Sequence, residues 1–135
     1  MLEHEQWLNV AEYDLKSAHG LVSLELYKTA AYHSQQAAEK ALKGYLAFKK
    51  QPIIKIHDLV KLLELCMLID TNFGKFRPEV ESLNPFATKF RYPSEFDIPD
   101  RAEMEQTVKY ANAIVKFVLK KFKEPDSGQQ TLFTK

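Results

Sequence analysis

The stretch that most constrains this chain is AAYHSQQAAEKALKGYLAF, residues 30–48, which joins alanine-rich helix propensity to an apolar repeat of helical period. Wound at about 3.6 residues per turn, it puts Ala30, Ala31, Ser34, Ala37, Ala38, Ala41, Leu42, Tyr45 and Phe48 on one face. Gln36, Glu39, Lys40 and Lys43 fall opposite. Small residues dominate the first half of the apolar face, so a neighbouring helix can approach closely there. Glu39 and Lys43 stand four apart in the favourable order, which predicts a solvated surface pair contributing roughly 0.3–0.5 kcal/mol. The other helices are expected to pack around this one.

An earlier amphipathic segment, from about Glu3 to Val22, carries Trp7, Leu8, Ala11, Leu15, Ala18 and Val22 on one side and Glu3, Glu12 and Lys16 on the other. Gly20 and the short connection from Ser23 to Lys28 predict an antiparallel hairpin with the central helix. Pro52 ends the central pattern. A third helix is expected from about His57 to Ile69, with Asp58 favouring its N-terminus, and Gly74 then breaks the chain. Pro78 and Glu79 suggest a short helix running toward Ala87. The stretch from Lys89 to Asp97 has neither a helical nor a strand period and reads as a structured loop. Asp100 followed by Glu103 predicts the start of a last helix reaching about Lys123. That helix carries a second apolar stripe, Tyr110, Ile114 and Phe117, which calls for cover from the same chain or from a second subunit. The expected fold is thus all-α, an up-and-down bundle of four long helices plus a short fifth, with residues 1–123 as one domain and 124–135 as a flexible tail.

Composition narrows the function. A chain of 135 residues suits one core, and a net charge of +1 supplies no general attraction to polyanions, so any nucleic-acid contact must be a local patch. The single Cys66 lies in the apolar pattern of the third helix, which favours a buried thiol over a nucleophile. No apolar run approaches the roughly 20 residues that span a bilayer, and no basic-then-apolar leader opens the sequence, so a cytoplasmic location is expected. The histidines are scattered and no HExxH or paired-cysteine spacing occurs, which argues against a metal site, and the four isolated glycines make no phosphate loop. No cofactor is expected.

Several spaced motifs together carry a family likeness. Tyr32-His33-Ser34-Gln35-Gln36-Ala37-Ala38-Glu39-Lys40-Ala41-Leu42-Lys43, preceded by Ala11-Glu12-Tyr13-Asp14-Leu15 and followed by His57-Asp58-Leu59 and Arg91-Tyr92-Pro93, resembles the HEPN family (higher eukaryotes and prokaryotes nucleotide-binding domain). The resemblance spans about residues 5 to 122. It implies a helical bundle, a homodimer, and a frequent partnership with a minimal nucleotidyltransferase acting as antitoxin.

The resemblance also implies a chemistry to look for. Many members are metal-independent ribonucleases with an Arg followed a few residues later by a His. The imidazole exchanges a proton with the ribose hydroxyl or leaving oxygen, and the guanidinium steadies the phosphoryl oxygens. This sequence departs from that order. His4, His19, His33 and His57 all precede Arg77, Arg91 and Arg101, and Arg91 meets Glu95, Phe96 and Asp97 at the relevant spacing. The candidates for nucleotide or RNA binding are therefore Lys89, Arg91 and Tyr92, two cations and a ring suited to a phosphate and a stacked base, with His33, Lys40 and His57. Each has a plainer alternative. His33, at the edge of the apolar face, suits a hydrogen-bonded structural role; His57 and Asp58 suit a helix cap; Arg91 suits an ion pair with Glu95. The reading that follows is a catalytically degenerate HEPN domain binding nucleotide, RNA or a nucleotidyltransferase partner. A ribonuclease toxin with a nonstandard Arg/His site and a structural dimerisation module are the alternatives.

Overall fold

In the computed structural model, which describes residues 1–52, 55–91 and 99–124, the chain forms five α-helices: α1 (Glu3–Ser23), α2 (Tyr27–Phe48), α3 (Leu59–Ile69), α4 (Arg77–Leu83) and α5 (Arg101–Lys123). Short 3-10 segments over Thr71–Phe76 and Asn84–Ala87 flank α4, and no strand occurs among the described residues. This is the all-α bundle that the periodicities predict. The expected tail from 125 onward lies outside the described residues.

Each helix end has a local cause. α1 and α2 both stop in a left-handed residue, Glu25 (φ 62°) and Lys50 (φ 59°). The Leu26 amide then donates to the Leu21 carbonyl at 2.8 Å, and the Gln51 amide to the Leu46 carbonyl at 2.9 Å, which closes the last turn of each helix. Gly20, expected to help make the connection, instead lies inside α1, and the turn falls on a glutamate. Asp58 caps α3, its carboxylate accepting from the Val60 and Lys61 amides at 2.9 and 3.3 Å, and Asp100 caps α5 through the Glu103 amide at 2.8 Å. α3 therefore begins at Leu59 rather than His57. Gly74 does not break the chain but sits in the first 3-10 segment, where Met67 packs so close that an added Cβ would lie 3.1 Å from its methyl. Pro85 ends α4 early and leaves the second 3-10 turn in place of the expected continuation to Ala87.

α2 is central, as expected, but more completely than its pattern predicts. Its small residues let α1 in so closely that a Cβ on Gly44 would overlap Leu8 Cδ2 and lie 3.1 Å from Trp7 Cβ. α5, α3 and the Asn84–Ala87 turn cover the remaining sides. The predicted solvated face does not exist: Glu39 is 1% exposed and Lys43 6%, while Gln36 and Lys40 are half-buried. The heptad-like spacing distinguishes apolar from polar sides, yet it cannot tell a polar side facing water from one enclosed by neighbours. The second stripe on α5 is covered within the chain, since Phe117 meets the rings of Phe73 and Phe76 edge-on at 4.9 and 5.0 Å and Ile114 is fully buried.

Two glycine substitutions should have opposite signs. Nothing lies within 4 Å of a Cβ on Gly20, so Gly20→Ala is expected to stabilise by about 0.5–1 kcal/mol through helix propensity. At Gly44 the same gain is outweighed by overpacking against Trp7 and Leu8, so Gly44→Ala is expected to lose about 1–2 kcal/mol in urea unfolding. Lys50→Gly relieves the left-handed residue and should raise stability by about 0.5–1 kcal/mol; an unchanged urea midpoint would show that the residue carries no strain.

Candidate functional site

The polar side of α2, closed in by α1 and by the loop before α3, is a connected set of hydrogen bonds. Asp14 sits on the buried stripe of α1, between Ala11 and Ala18, and faces α2. Its carboxylate lies 2.8 Å from His33 Nδ1 and 4.0 Å from Lys40 Nζ. Lys40 donates to the Gln36 carbonyl at 2.9 Å, Gln36 to Gln35 at 2.6 Å, and the wholly buried Gln35 to Glu39 Oε1 at 3.2 Å. Glu39 Oε2 accepts from Lys43 Nζ at 2.9 Å and stands 3.1 Å from His57 Nδ1. Residues 35, 39 and 43, and 33, 36 and 40, form two adjacent rows of a helix, and this is why one helix supplies most of the chain of contacts.

Burial by itself would push the Glu39 carboxyl up, but hydrogen bonds from Lys43 and His57, the Lys43 charge and the Gln35 amide outweigh it and hold the pKa below the ordinary 4.5. The acid is therefore ionised at neutral pH inside the bundle. Both functional histidine candidates, His33 and His57, present Nδ1 to a carboxylate, an arrangement that fixes the ring and leaves Nε2 as the free edge. The ring of His57 is largely exposed, whereas that of His33 is half-buried. The Asn84 side chain ties the second 3-10 turn to the start of α3, accepting from the Leu59 amide at 2.8 Å and donating to Asp58 at 3.2 Å.

A second cluster lies beside the N-terminal turns of α2. Phe86 and Phe90 stack at 5.7 Å with an interplanar angle of 15°, Lys89 Nζ lies 5.7 and 5.5 Å from their ring centres, and Lys28 Nζ lies 5.6 Å from that of Phe90. Lys28, Phe86 and Phe90, together with Thr29, Tyr32, Ala87 and Arg91, line a cleft of about 330 Å³, at the small end of the range for ligand pockets, while Lys89 is not part of that lining. Arg77 pairs with Glu64 and Glu81, and Arg101 with Glu25 and Glu105. Arg91 alone of the three arginines makes no ion pair among the described residues. Tyr32, 42% exposed, connects the two clusters: it lines the cleft and meets the His33 ring edge-on at 5.4 Å.

The six sequence candidates thus fall into three places. Arg91 lines the aromatic cleft and Lys89 lies over its two phenylalanine rings, His33 and Lys40 share Asp14, and His57 joins through Glu39; Tyr92 lies outside the described residues, as does Glu95. Asp14, Gln35, Glu39, Lys43, Lys28, Phe86 and Phe90 were not among them. Asp14 had a signal, a carboxylate at the helical register of Ala11 and Ala18. Cys66 is fully buried with its thiol pushed up to about 12 by desolvation, which removes it as a nucleophile. Among the described residues no three His, Cys, Asp or Glu side chains converge as a metal site.

Lys43→Met removes the charged partner of the buried Glu39 and leaves it only Gln35 and His57, so it should cost about 1–3 kcal/mol in urea unfolding. Because the Glu39 pKa is lower folded than unfolded, its stabilisation is present above the ordinary 4.5 and is lost as pH falls through the depressed folded value. A Glu39→Gln variant should therefore show a flatter fall in stability on the acid side; an unchanged acid limb would exclude Glu39 as its cause.

Comparison with known proteins gives this geometry a family. The model of the HEPN domain matches residues 4–122. Among solved structures, TT1696 from Thermus thermophilus superposes with a TM-score of 0.72 at 26% identity, covering 90% of this chain and 99% of that one. ST0689, described as an archaeal HEPN homologue, gives 0.73 at 26% identity over 91% of this chain and 100% of its own. A search of curated proteins returned no match. With nearly the whole bundle matched, this chain belongs to the HEPN domain family.

Proposed function

We propose that this chain is a catalytically degenerate HEPN domain that binds a nucleotide or an RNA segment at the Arg91 cleft, acting as a homodimer alongside a minimal nucleotidyltransferase. The observation that carries the reading is the pairing of the arginines. Two of the three are engaged by carboxylates, while Arg91 stands without one among the described residues, at the rim of a cleft floored by stacked phenylalanines and flanked by Lys28 and Lys89. Guanidinium and ammonium groups suit phosphate oxygens, and the exposed ring of Tyr32 offers a face for a base. The cleft is small, so one nucleotide unit is what it accommodates.

One observation favours the alternative, a ribonuclease with a nonstandard site. His33 is held by Asp14 at 2.8 Å and touches Tyr32 on the cleft wall, so an oriented imidazole stands near the phosphate-binding residues. The degenerate reading is preferred because the family's Arg-then-His order is absent from the sequence.

The test is binding and cleavage of a mixed RNA pool in the presence of EDTA. Binding that falls at least about 10-fold in Arg91→Ala, with no cleavage by the wild type, is the expected result. Cleavage that disappears in both Arg91→Ala and His33→Ala, with folding intact, would establish the ribonuclease instead. Sedimentation of the purified chain checks the dimer.

A further inference from the structure

The polar face of α5 carries charge that neither the network nor the cleft uses. Lys109, Lys116, Lys120 and Lys123 recur at spacings of seven, four and three, which at about 100° per residue keeps them within roughly 60° of arc. At a rise of about 1.5 Å per residue the row is about 21 Å long. All four are exposed, and none makes an ion pair among the described residues. The carboxylates nearest in sequence are engaged elsewhere, Glu105 by Arg101 and Glu124 by Lys121. Across the groove on α1, Glu5 and Glu12 flank Lys123 without bonding it. Lys120 and Lys123 also answer the negative end of the helix dipole, but Lys109 and Lys116 lie too far from the terminus for that explanation.

The N-terminal end of the row opens into a cleft of about 420 Å³ between α1 and α5. There Lys109 stands beside the apolar Val22 and Val108, with His19, Ser23 and the Arg101–Glu105 ion pair completing the lining. A straight row of ammonium groups without carboxylate partners among the described residues, ending at a cleft with apolar Val22 and Val108 in its lining, matches a chain of phosphates. A membrane surface fits less well, since no large apolar side chain of α5 is exposed. We infer that the outer face of α5 is a second nucleic-acid surface, separate from the Arg91 cleft, which tracks the backbone of single-stranded RNA along Lys109, Lys116, Lys120 and Lys123.

The test uses fluorescence anisotropy with a labelled, mixed-sequence single-stranded RNA and two quadruple variants of equal charge change. Lys109→Gln, Lys116→Gln, Lys120→Gln and Lys123→Gln together should weaken binding about 10-fold or more at moderate salt and make the salt dependence shallower by about 3 in log–log slope. The scattered set Lys16→Gln, Lys50→Gln, Lys55→Gln and Lys61→Gln, all exposed, should change affinity by no more than about 3-fold. Equal losses in both sets would reduce the effect to net charge and overturn the inference. So would a wild type that binds no RNA, or one that binds phosphatidylserine vesicles or polyglutamate through these lysines in preference to RNA. Arg91→Ala separates this surface from the cleft: full binding in Arg91→Ala with loss in the α5 set sinks the cleft reading and leaves this one standing.

Discussion

Enclosure of most of α2, including the greater part of its polar side, is the constraint from which the rest of the structure follows. A helix packed by one neighbour can turn its polar residues to water, but α2 is closed in by α1, α5, α3 and a 3-10 turn, and its polar side goes inside with it. Isolated charges in that position would be untenable, so each is matched: Glu39 with Lys43, Gln35 and His57, and Asp14 with His33 and Lys40. The small residues that allow the enclosure and the polar residues that must be satisfied by it are therefore two sides of one arrangement. Gly44 and Glu39, only five positions apart, show both demands within little more than a turn.

How much of this was legible in the sequence follows the same line. Helix existence, order and caps were readable, because Ala repeats, Asp58 and Asp100 act through their immediate neighbours. The hairpin of α1 and α2 was readable from the short link. The buried fate of Glu39 and Lys43 was not, since an i,i+4 acid–base pair is identical in sequence whether it faces water or a third helix. Among the candidate residues, Arg91 and Lys89 were proposed by type and context, while the proximity of Phe86 and Phe90 to them required the turn that stacks those rings. Gly74 misled in the opposite direction: the absence of a side chain serves Met67 there and not a break in the chain.

Charge in this protein is arranged and not abundant. A net charge of +1 conceals an interior row of matched ions and, among the described residues, an arginine at a cleft with no ion pair and an outer helix face whose lysines make none. Interior ions contribute to a specific fold only if all partners are present, whereas exterior ones act on whatever approaches and weaken with salt. The same side-chain types thus serve two separable purposes, set by whether a neighbouring helix excludes water.

The order of the helices also bears on how the chain acquires this form. The most extensive helix contact joins α1 and α2, adjacent in sequence and linked by three residues, Leu24, Glu25 and Leu26. Such a pair closes with little loss of chain entropy and can assemble early. α5 has to return from the far end of the sequence to complete the shell, and until it does α2 keeps one flank wet. α5 is thus the element whose docking turns a local hairpin into a covered core, so a chain stopped before Arg101 would keep that flank of α2 open to water.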